Sequence, residues 1–115
     1  MRPLLESPDL EDLVHLGFLV ERSEEIGVES ATTWARDGST VMLTWDAMAC
    51  SVYVGWSEGD VKRVSIEREY VSKISVNRVN HDLVISVWTV SPEAAGKLLI
   101  LVGEGVSIRD VQLRV

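Results

Sequence analysis

The sequence has one cysteine in 115 residues, Cys50, so no disulfide can form within the chain. That usage fits a reducing compartment, and the expected location is the cytoplasm. A secretory leader is not evident: MRPLLESPDLEDL reaches an acid at Glu6 and lacks the apolar stretch of a signal peptide. Long apolar runs are also missing. KLLILVG is the longest, against the ~20 residues that cross a bilayer, so no membrane association is expected. Proline numbers only three, and no Pro, Gly or Ser tract reads as a linker. The length then fits one domain over 1–115.

Residues for chemistry are equally sparse. The two histidines, His15 and His81, lie far apart and neither has the spacing of a metal ligand. His15 falls on the exposed side of a predicted helix, and His81 in a turn beside Asn80 and Asp82. Cys50 has no cationic neighbour to activate it and reads as a small half-buried core residue. GEG at 103–105 lacks the G-x-G-x-x-G pattern of a phosphate loop. No cofactor or metal is expected. An enzyme would have to rely on His81 with Asp82, or on Glu67 with Glu69, which alternate to one side of a strand. Those glutamates are equally suited to a charged edge strand that resists unwanted pairing. Arg68 would point the other way, beside Val64 and Ile66, where it needs a partner because an unpaired buried charge is costly.

What the chain does have is acid, and it is unevenly placed. The net charge is −7. Residues 1–29 hold Glu6, Asp9, Glu11, Asp12, Glu21, Glu24, Glu25 and Glu29 against Arg2 and Arg22. Residues 62–78 hold Lys62, Arg63, Arg68, Lys73 and Arg78 against Glu67 and Glu69. That local excess is too diluted for the basic footprint that nucleic acid requires, and the overall sign opposes phosphate binding. An acidic end can instead attract a basic protein partner, against the simpler reading that the acid serves solubility alone.

The pattern predicts a first helix from Pro8, capped by Ser7, with Leu10, Leu13 and Val14 on one face and Gly17 as a left-handed C-cap before Phe18. It ends near Leu16; the competing reading carries it to about Glu25. Val28–Arg36 and Ser39–Asp46 read as a hairpin around Asp37-Gly38. A two-residue turn there pairs Trp34 with Val41 and places Trp34 and Trp45 on one core face with Val28, Val41 and Leu43. Ser51–Trp56 and Val61–Glu69 continue the meander, bringing Val52, Val54, Trp56, Val64 and Ile66 to the core. Residues 83–90 read as a strand over a helix because of their β-branched content. Ser91-Pro92-Glu93 opens a second predicted helix, with Ala95, Leu98, Leu99 and Val102 as its stripe. Residues 106–115 close as a strand. The expected fold is α+β: a twisted antiparallel sheet of about six strands, with two helices packed on one face.

On these grounds the chain is expected to be a non-catalytic protein-interaction module. Its acidic surface, at Glu21, Glu24, Glu25 and Glu29, would meet a basic protein, as in an immunity-like or antitoxin-like antagonist. The alternative is a small-ligand domain with a pocket between sheet and helices, lined by Trp88 or Met42. A homodimer through an uncovered sheet edge is compatible with either.

Overall fold

The computed structural model describes residues 4–92 and 95–113. They form one short helix, α1 (Leu10–His15), and nine strands: β1 (Leu19–Arg22), β2 (Val28–Trp34), β3 (Thr40–Asp46), β4 (Ser51–Glu58), β5 (Val61–Arg68), β6 (Val71–Val79), β7 (Asp82–Val90), β8 (Ala95–Val102) and β9 (Val106–Leu113). Strands β1 to β5 make one antiparallel sheet and β6 to β9 another, each in sequence order. The inward faces of both sheets share one hydrophobic core. The first supplies Ala31, Val41, Leu43, Trp45, Val52 and Val54, and the second Ile74, Leu83, Ile85, Val87, Leu98, Ile100 and Val102. The α+β expectation is therefore wrong. A second sheet covers the first where helices were expected.

The second predicted helix is the main cause of that error. Its stripe lies in β8, where Leu98, Ile100 and Val102 are buried in strict alternation. Leu99 and Leu101, at the outward positions, are apolar too. A strand apolar on both faces satisfies helical spacing by accident. The predicted opening at Ser91-Pro92-Glu93 lies partly outside the described residues, since Glu93 is one of those not described. Residues 83–90 are a strand, as expected.

The first helix is real but shorter. Asp9, not Ser7, is the N-cap, its carboxylate accepting from the Glu11 amide at 2.9 Å. The helix stops where expected. Gly17 has φ +94°, its amide bonds to the Val14 carbonyl, and the Phe18 amide bonds to the Leu13 carbonyl. That is the Schellman arrangement, with Leu13 and Phe18 buried together behind it. Val14, expected in the core, is 51% exposed.

The β2–β3 hairpin corrects the register. Its loop holds three residues, not two: the Ala35 amide bonds to the Ser39 carbonyl, the Gly38 amide to the Ala35 carbonyl, and Gly38 takes φ +89°. Thr33 therefore faces Val41, and Trp34 faces Thr40. One residue of slip reverses every side chain of β2. Ala31 and Thr33 go inward while Trp34 goes outward, 51% exposed. The longer loop is held from outside, by Arg36 and Asp37 amides that bond to the Gly103 and Glu104 carbonyls in the β8–β9 turn. Those amides would not project this way from a two-residue turn that paired Arg36 with Ser39.

Both ends of the two sheets are stitched together. At one end the Arg36 guanidinium reaches Asp82 at 3.1 Å and Glu104 at 3.2 Å. At the other, the Leu5 amide bonds to the Ala47 carbonyl, Glu6 bridges Ser72 and Ile74 of β6, and the Val71 amide bonds to the Cys50 carbonyl. Cys50 belongs to the core, buried rather than half-buried as expected, and sits at φ +54°, which nothing in its neighbours forecasts.

Candidate partner-binding surface

The four predicted contact acids lie at one end of the first sheet but do not form one unit. Glu21 is at an outward position of β1, opposite Ser30. Glu24 and Glu25 sit exposed in the β1–β2 turn, which is closed by the Ser23 amide on the Val28 carbonyl and by the Glu25 amide on Ser23 Oγ. Glu29 is different: it faces Arg22 across the strands, and Arg22 Nε binds its carboxylate at 3.3 Å. Glu21, Glu24 and Glu25 are available to a partner, whereas Glu29 is already engaged.

The candidate reacting groups do not converge. His81 is exposed in the β6–β7 turn, and Asp82 is bound to Arg36. Glu67 and Glu69 lie toward the opposite end, in an open groove of about 330 Å³ shared with Asp46 and Arg68. Among the described residues no group of three or more His, Cys, Asp or Glu is placed to hold a metal. Arg68 finds the partner its inward position demands: Asp110 of β9, at 2.7 Å, ties the edges of the two sheets. Among the described residues no pocket lies between a sheet and helices, because sheet faces sheet; an open groove of about 510 Å³ lies instead where the ends of the two sheets meet, beside Leu4, Cys50, Val71 and Val90. The two residues expected to line a sheet–helix pocket are outward: Met42 is 39% exposed on β3, and Trp88 lies under the Lys97 ammonium, 4.5 Å from its ring centroid.

The outward face of the first sheet is where sequence reasoning missed the most. Across it run two cross-strand rows: Leu19, Thr32, Met42, Gly55 and Ser65, then Trp34, Thr40, Ser57 and Lys62. A third row holds Glu21, Ser30, Thr44, Tyr53 and Glu67. Leu19, at 61% exposure, joins Trp34 and Met42 as bulky apolar groups open to solvent on three adjacent strands. Tyr53 lies along the sheet over Gly55, where a Cβ would come within 3.2 Å of its ring. Its hydroxyl takes bonds from Ser65 and Lys62, and these hold its pKa below the usual tyrosine value, Ser65 first. The result is a hydroxyl-rich surface with an apolar strip and an acidic border. A three-residue reading of the Asp-Gly loop would have placed Trp34 beside Thr40 and Met42 from sequence alone.

Fold and surface together define a small two-sheet β-protein with its distinctive residues on an open sheet face. Among solved structures the chain is similar to one in a contact-dependent growth inhibition toxin–immunity protein complex from Klebsiella pneumoniae 342. The TM-score is 0.77 at 14% identity, covering 97% of this chain and 100% of that one. At that identity the likeness is one of fold. No protein-family profile and no curated protein matches the sequence.

Proposed function

We propose that the chain is a non-catalytic protein-interaction domain of the immunity type, which binds a toxin domain and blocks it. The observation that carries this reading is the end-to-end likeness in fold to a chain of a toxin–immunity complex. An antagonist of this kind needs no reacting group. It needs a stiff surface of the right shape and sign, and a sheet packed over a sealed core supplies stiffness. The acid at Glu21, Glu24 and Glu25 favours a basic partner and speeds its capture through long-range attraction. Its place of action, on this reading, is the cytoplasm.

The test is co-expression with the product of the reading frame next to its gene, which this reading requires to be a toxin. Cells making the toxin alone should stop growing, cells making both should grow, and the two proteins should co-purify. Growth arrest in both cultures, with no complex recovered, would overturn the reading.

A further inference from the structure

The two outward sheet faces differ in sign. On the first sheet, outward positions carry Glu21, Asp46 and Glu67 against Lys62, and the β1–β2 turn adds Glu24 and Glu25 at the same end. On the second they carry Lys73, Lys97 and Arg109. The one outward acid there among the described residues, Asp82, is bound to Arg36. Both faces also carry exposed apolar groups, Leu19, Trp34 and Met42 on the first and Val79, Val90 and Leu101 on the second, where Trp88 lies under Lys97. A bare apolar strip with a polar rim is the ordinary mark of a docking surface.

We infer that the toxin domain docks on the outward face of the five-stranded sheet. Its contacting surface is apolar against Leu19, Trp34 and Met42 and basic against Glu21, Glu24 and Glu25. This rests on the reading of the chain as a toxin antagonist. The choice of face follows from charge: a basic domain that approached the other sheet would meet Lys73, Lys97 and Arg109. Trp34, at the hairpin end of this face, is of the residue type that most often dominates an interface.

Titration calorimetry with the purified, catalytically inactivated toxin domain of the adjacent reading frame tests this. Trp34→Thr with Met42→Thr should weaken binding by about thirtyfold or more, because a few aromatic anchors carry most of the energy of an interface. Glu21→Lys with Glu25→Lys should weaken it by about tenfold or more. Leu101→Thr with Arg109→Thr, on the second sheet, should change it by less than about threefold. Melting curves check each fold, and the glutamate pair, in and beside an exposed turn, tests the face even if the strand pair is unstable. Wild-type binding that survives both first-sheet pairs, or is lost with the second-sheet pair, overturns the inference and leaves the antagonist reading standing. No binding by the wild-type protein overturns both.

Discussion

Trp34 and Trp45 carry the same side chain into opposite surroundings, 51% and 1% exposed. Trp45→Ala should cost about 3–5 kcal/mol in urea unfolding, the usual loss for a large core aromatic, and Trp34→Ala about 1 kcal/mol or less. Trp45→Phe should fall well below Trp45→Ala, because the buried indole N–H has no acceptor among the described residues and phenylalanine removes that unpaired donor. Equal losses at the two tryptophans would contradict the register. The sequence shows that one face of β2 and β3 is apolar, but Asp-Gly serves two-residue and three-residue loops alike, and the choice between them is made by contacts with a distant turn. Asp37 reports on that loop. Its carboxylate accepts from the Ser39 amide at 2.8 Å, and this bond, then the Ser39 hydroxyl, holds its pKa below the usual value. A lowered folded pKa means the contribution is complete above the ordinary aspartate pKa of about 3.9 and is lost as pH falls through the folded value. Asp37→Asn should therefore melt lower than the parent protein at neutral pH. The gap should close on acidification below about pH 4.

At the scale of elements, local signals were legible and non-local ones were not. The end of α1 could be read because the Gly17 cap and the Phe18 contact lie within a few residues of each other. β7 could be read because Val84, Ile85, Val87, Thr89 and Val90 are poor helix formers that suit a buried strand. β8 could not, because Ala95, Leu98, Leu99 and Val102 satisfy a helix while Leu98, Ile100 and Val102 satisfy a strand. Neighbouring strands β7 and β9 settle the matter by pairing with it on both sides. Two positions separate the readings. Ile100 lies off the helical stripe yet is fully buried, and Leu99 lies on the stripe yet is only half-buried. Ile100→Ala should cost about 2–5 kcal/mol and Leu99→Thr about 1 kcal/mol, measured by denaturant unfolding. The reverse order would restore the helix.

Over the whole molecule, charge is sorted by sheet face, and this was only half visible in the sequence. The acids of residues 1–29 stand out in the chain. What does not stand out is the fate of the arginines. Arg36 is spent on Asp82 and Glu104, Arg68 on Asp110, and Arg78 on the Leu16 carbonyl at 3.1 Å, all partners far away in sequence. The cations left on the second sheet are Lys73, Lys97 and Arg109, opposite the acidic border of the first. A molecule charged this way turns its acidic side toward an approaching basic domain before contact. On the proposed reading, capture of a toxin domain should then depend on salt through its association rate. Between about 0.1 M and about 1 M salt the screening length falls from about 10 Å to about 3 Å. Over that range the association rate should drop by about tenfold or more, while dissociation, set by the apolar strip, changes by less than about threefold. Stopped-flow mixing reads both. The Glu21→Lys, Glu24→Lys, Glu25→Lys variant should start slower and lose most of its salt dependence. If the parent protein associates at one rate across the whole range, the opposed faces do not steer the encounter, and shape alone selects the partner.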